Sequence, residues 1–73
     1  MKIPVINMRE TGLRITDLRK KNNVTVKDIE DTLSVTRSAV HKWQRGETLP
    51  SLDNLVGLAA LFGVTLSDIV VTK

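Results

Sequence analysis

The tightest constraint in this sequence is the short gap between two amphipathic segments. Val26, Ile29 and Leu33 recur at i, i+3 and i+7, one apolar stripe on a helix that Thr25 can cap, with Asp28 three residues on. Thr36 stands ready to cap the next helix, in which Val40 and Trp43 face inward and Gly46 suits a left-handed closing residue. Leu33 ends one stripe and Thr36 opens the next, so only a three- or four-residue turn, with Ser34-Val35 at its centre, fits between them.

The flanking segments also read as helices. Thr11 is a candidate cap for a first helix with Ile15 and Leu18 on one side, stopped by Asn22-Asn23. Leu49-Pro50-Ser51 breaks and restarts the chain, and Ser51 caps a fourth helix carrying Leu52, Leu55, Leu58, Ala59 and Phe62 up to Gly63. Thr65 with Asp68 opens a short fifth helix holding Leu66, Ile69 and Val70. The one strand candidate is Ile3-Pro4-Val5-Ile6, and Pro4 confines it to an edge. At 73 residues and 41% apolar content the chain is one domain, an all-α compact bundle of five short helices. An N-terminal arm over 1–10 and a helical domain over 11–71 are the expected divisions.

Charge is sorted along the chain. The net charge is +3, and Thr36 to Gly46 holds Arg37, His41, Lys42 and Arg45 with no acid, while Asp28, Glu30 and Asp31 gather upstream. Two amphipathic helices joined by so tight a turn form a helix-turn-helix, whose second helix projects side chains outward. The outward set is Arg37, Ser38, His41, Lys42 and Arg45, at i, i+1, i+4, i+5 and i+8. Such side chains reach base edges and phosphates in a major groove. A basic helix face alone is ordinarily solvated surface; the turn and the missing acids turn the reading toward binding.

Other chemistry finds little support. There is no cysteine, hence no disulfide or thiolate metal site, and no metal or other cofactor is expected. The single histidine, His41, lies three residues from Ser38 with no third residue to orient it, and no glycine-rich phosphate loop is present, so no enzyme is expected. No apolar run approaches the ~20 residues that cross a membrane. The start, Met1-Lys2-Ile3-Pro4-Val5, lacks the features of a signal peptide, and the chain is expected to be complete and cytoplasmic, associated with the nucleoid.

At the level of whole motifs the sequence resembles the Cro/phage-repressor (XRE-type) helix-turn-helix family. The resemblance is carried by Thr25-Val26-Lys27-Asp28-Ile29, Leu33-Ser34-Val35-Thr36-Arg37-Ser38-Ala39-Val40 and Lys42-Trp43-Gln44-Arg45-Gly46. It continues through Leu49-Pro50-Ser51-Leu52-Asp53-Asn54-Leu55 and the segment from Leu58 to Ile69, and covers about the last sixty residues. It implies a lambda-repressor-like DNA-binding domain and a sequence-specific regulator of transcription, with repression as the expected direction. By position it assigns base reading to Arg37, Ser38 and Lys42, with His41 a further candidate. Thr36 and Arg45 match phosphate-contacting positions, and the start of the second helix adds Thr25 and Lys27.

Four positions depart from the family pattern. Val26 replaces a glutamine that grips phosphate, leaving that contact to Thr25, Lys27 or the backbone. Glu30 stands where a small residue separates the two helices, Ser34 where glycine is usual in the turn, and Gln44 where a glutamate pairs with an arginine, here Arg19. A strained Ser34 and a neutral Gln44–Arg19 hydrogen bond are expected from the last two.

Double-stranded DNA is the expected partner. The alternative is an antitoxin or small adaptor whose main target is a protein; only Thr72-Lys73 follow the last helix, which offers little tail for a toxin. Trp43 reads as core, and Ser67-Asp68 as capping. Ile3, Val5 and Ile6 read equally as an arm on the core or as a subunit contact, and with Val70-Val71 they leave a homodimer open.

Overall fold

The computed structural model describes residues 3–73. Met1 and Lys2, the start of the expected arm, lie outside the described residues. Five helices follow in order: α1 (Met8–Lys21), α2 (Val26–Leu33), α3 (Arg37–Arg45), α4 (Leu52–Phe62) and α5 (Leu66–Ile69). The all-α architecture expected from periodicity is the one observed, with no strand longer than a single bridge among the described residues.

Local sequence sets most boundaries. The Thr25 hydroxyl accepts the Asp28 N–H at 3.0 Å while the Asp28 carboxylate accepts the Thr25 N–H at 2.9 Å, a closed capping box at the start of α2. Thr36 and Ser51 cap α3 and α4 through the N–H groups of Ala39 and Asn54. At α5 the box is reshaped: Asp68 accepts both the N–H and the hydroxyl of Thr65, at 2.9 and 3.0 Å. Helix α5 is one turn long, and Val70 lies just beyond it in extended conformation.

The start of α1 corrects the sequence reading. Asn7, not Thr11, is the N-cap, its side chain accepting the Glu10 N–H at 3.0 Å. The helix therefore takes in residues 8–10 of the expected arm. Thr11 is instead fully buried, and its hydroxyl accepts the Val71 N–H at 3.0 Å. A β-branched hydroxyl inside the first turn satisfies a backbone donor sixty residues away rather than one in its own helix.

Ile15, Ile29, Val40, Trp43, Leu58, Ala59, Phe62 and Ile69 form the core, drawing on every helix. Helix α3 packs mainly against α1 and α2, and α4 joins α2 to α5. Beside the core, Asn7 N–H donates to Val71 O at 2.7 Å and Lys73 N–H to Val5 O at 2.8 Å, around an antiparallel bridge between Ile6 and Thr72. The two ends of the described chain are tied together, while the Ile3 and Val5 side chains stay exposed. Leu52, on the apolar list for α4, is also exposed.

Candidate nucleic-acid interface

The candidate site is built on the α2–turn–α3 unit. Helix α2 ends at Ser34, which takes the left-handed conformation (φ 54°, ψ 46°), as the usual glycine at this place would require. Ser34 N–H and Val35 N–H both turn back onto the Glu30 carbonyl, the latter at 3.3 Å, and so close the turn. Thr36 then starts α3, and Gly46 ends it at φ 74° with its N–H on carbonyls of the last turn.

Burial sorts α3 as the periodicity requires. Val40 and Trp43 are inside, which makes Trp43 a core residue. Arg37, Ser38, Lys42 and Arg45 are exposed, with His41 half-buried beside them. The structure thus brings these five expected contact residues onto one face. Thr25 and Lys27 are exposed at the start of α2, and Lys27 is near enough to Glu30 and Arg37 for their charges to act on it.

Thr36 is engaged as a cap through its hydroxyl oxygen and keeps its hydroxyl proton for an outside anion, whereas the Thr25 hydroxyl both accepts the Asp28 N–H and helps hold the Asp28 carboxylate. At α2 the Asp28 carboxylate already occupies the helix N-terminus. The Thr25 N–H and then its hydroxyl hold that carboxyl below its ordinary range.

Three of the expected cations are paired with acids. Lys27 Nζ lies 2.9 Å from Asp31 Oδ1, one helical turn on, and Asp31 raises the Lys27 ammonium above its usual range. Arg37 Nε donates to Glu30 Oε2 at 3.2 Å, and Arg45 Nε to Glu47. Among the described residues no ion pair involves His41 or Lys42. These carboxylates lower the positive potential of the face below what counting its cations suggests. The Lys27–Asp31 spacing was open to sequence inspection; the Glu30–Arg37 contact, across the turn, was not.

Behind α3, Arg19 Nε donates to Gln44 Oε1 at 3.0 Å and Arg19 Nη1 to Val24 O at 3.1 Å. The Thr16 hydroxyl reaches the same Gln44 oxygen at 3.3 Å. This is the neutral-acceptor bond expected from Gln44, and it fixes α3 against α1. No cluster of metal-ligating side chains is found among the described residues. No described helix is long and apolar enough to cross a membrane.

Comparison with known proteins adds the context for this face. A family model described as helix-turn-helix matches residues 15–69. The chain is 28% identical over 60 residues to the HTH-type transcriptional activator BcrR of Enterococcus faecalis, covering 82% of this chain and 29% of that protein. It is 36% identical over 56 residues to the HTH-type transcriptional regulator AnsR of Bacillus subtilis, covering 77% of this chain and 48% of that one. The chain thus spans less than half the length of these relatives. The restriction-modification controller protein C.AhdI from Aeromonas hydrophila superposes with a TM-score of 0.76 at 22% identity, over 85% of this chain and 94% of that one. At that identity the superposition speaks for the fold.

Proposed function

The chain belongs to the Cro/phage-repressor (XRE-type) helix-turn-helix family, and on that premise we propose that it is a sequence-specific, duplex-DNA-binding regulator of transcription. The observation that carries the proposal is the exposed stripe of Arg37, Ser38, Lys42 and Arg45, with His41 beside it, set on a short helix whose opposite side is locked into the core by Val40 and Trp43. A rigid helix with this lining offers donors to guanine N7 and O6 and to phosphate oxygens in a major groove.

In this reading Arg37, Ser38, His41 and Lys42 read bases. Thr25, Lys27, Thr36 and Arg45 hold phosphates: Thr36 through its hydroxyl proton, and Thr25 and the paired cations after exchanging a carboxylate for a phosphate. No catalytic step is assigned, and the site of action is the cytoplasmic nucleoid. Two-fold operators favour a homodimer, which is the assembly proposed here. Regulation is proposed as repression by occupancy of the operator, the mode that needs DNA binding alone.

The test is fluorescence anisotropy with the duplex from upstream of the chain's own gene against a scrambled duplex, at two salt concentrations. Preference for the upstream duplex that survives the higher salt is the expected result. Arg37→Ala and Lys42→Ala then reduce that preference, while Arg45→Ala weakens both duplexes about equally. Equal binding that collapses with salt would report phosphate attraction alone and contradict sequence reading. No binding at low salt would put a protein target first.

A further inference from the structure

Glu30 differs from the other acids near the reading face. The Lys27–Asp31 and Arg45–Glu47 pairs are solvated on both sides, with side-chain exposures of 67% and 63%, and of 59% and 52%. In the third pair, Arg37 is 63% exposed but Glu30 only 20%. The Glu30 side chain is thus largely covered, and its carboxylate meets Arg37 across the turn between α2 and α3. Its backbone is held as well, because the Glu30 carbonyl takes the N–H groups of Ser34 and Val35 that close the turn. One residue therefore anchors the turn through its main chain and the first side chain of α3 through its carboxylate.

The atom engaged on Arg37 matters. Glu30 takes Nε, one of the five N–H donors of a planar fork; one Nη hydrogen runs parallel to Nε–H on that side, and the end-on edge, with one hydrogen from each Nη, is left free. A guanine presents N7 and O6 side by side, and a guanidinium meets them with two parallel N–H groups. An arginine gripped at Nε can do so end-on, through its two Nη atoms.

We propose that Glu30 is a positioning residue for base recognition: its carboxylate holds Arg37 by Nε so that the Nη end of the guanidinium is presented to a guanine. This rests on the reading above that α3 contacts bases. Arginine is rich in rotamers, and ordering it before binding removes a cost that would otherwise be met on the DNA. For mixed-sequence DNA Glu30 lowers affinity, since a carboxylate near phosphates repels them. Its contribution is to selectivity: the partly desolvated carboxylate keeps Arg37 in one orientation, and only a base with two adjacent acceptors along that direction satisfies it.

The test is selection from a duplex oligonucleotide pool with a randomised core, using the whole chain and its Arg37→Ala, Lys42→Ala, Glu30→Ala and Glu30→Gln variants, each checked for folding by circular dichroism. Arg37→Ala defines the base pair that Arg37 reads. Glu30→Ala is expected to lower the guanine preference at that same base pair about three- to tenfold, leave the positions read by Lys42 unchanged, and bind mixed-sequence DNA somewhat more tightly. Glu30→Gln, whose amide oxygen still accepts from Nε, is expected to fall in between. A merely structural role would blur every position together. Full guanine preference in Glu30→Ala, or loss spread evenly over all positions, overturns the positioning role while leaving the function standing. A wild-type chain that enriches no sequence overturns the function and this role with it.

Discussion

Gly12 of α1 lies so close to the end of α3 that a Cβ built on it would stand 2.5 Å from the Trp43 carbonyl oxygen and 2.6 Å from that of Gln44. Both obstacles are backbone, so neither can swing aside. The contact sets how α3 seats on α1, and with it how far the exposed face of α3 projects. Gly12→Ala is expected to destabilise the fold by about 2 kcal/mol, within the usual range for forced overpacking. Urea denaturation monitored by Trp43 fluorescence checks this, and an unchanged midpoint would show that α1 shifts freely.

Ser34 holds a left-handed backbone at φ 54° without the freedom of glycine. Replacing it with glycine relieves that strain but loosens the unfolded chain. The net expectation for Ser34→Gly is a gain of a few tenths to about 1 kcal/mol, read as a higher urea midpoint. A lower midpoint would mean that the strain at Ser34 is smaller than the entropy that glycine adds to the unfolded chain.

Val26 packs, half-buried, against the core while standing where the family places a phosphate-gripping glutamine. Val26→Gln is therefore expected to act in two directions. It should lower stability by about 0.5–1 kcal/mol through lost apolar contact, and strengthen binding to all duplexes about threefold through a new amide–phosphate bond. Melting curves and anisotropy separate the two effects. A variant with undiminished stability and no gain in affinity would contradict both parts.

Asp28 and Asp68 are each held below the ordinary carboxylate value of 3.8, first by the N–H and then by the hydroxyl of Thr25 and Thr65. A folded-state pKa below the unfolded one gives stability that is present above the unfolded value and lost as pH falls through the folded one. Melting temperature is thus expected to fall below about pH 4 from this source. Asp28→Asn with Asp68→Asn should lower stability at pH 7 and flatten that acid limb. An acid limb as steep as that of the native chain would place the pH sensitivity elsewhere.

What was legible in the sequence was what the chain decides locally. Thr25 with Asp28, Thr36, Ser51 and the closing glycines Gly46 and Gly63 each act within four residues of themselves, and each stands where spacing put it. The true start of α1 was also local: Asn7 with Glu10 three residues on is a start signal, obscured by the more familiar threonine at 11. The rest needed three dimensions. Nothing in the spacing of Gly12 and Trp43, or of Thr11 and Val71, reports that they meet. Glu30 stood out as a misfit at a place for a small side chain, and the fold turns it toward Arg37.

The central claim is that DNA meets the chain along the start of α2 and the outer face of α3. Its most direct test is an amide ¹H–¹⁵N titration of the labelled chain with a duplex enriched by selection. The account expects the largest shifts at Thr25, Lys27, Thr36, Arg37, Ser38, His41, Lys42 and Arg45, with α4 and α5 nearly still. Shifts confined to α4, α5 or the paired chain ends, with α3 unmoved, would contradict it.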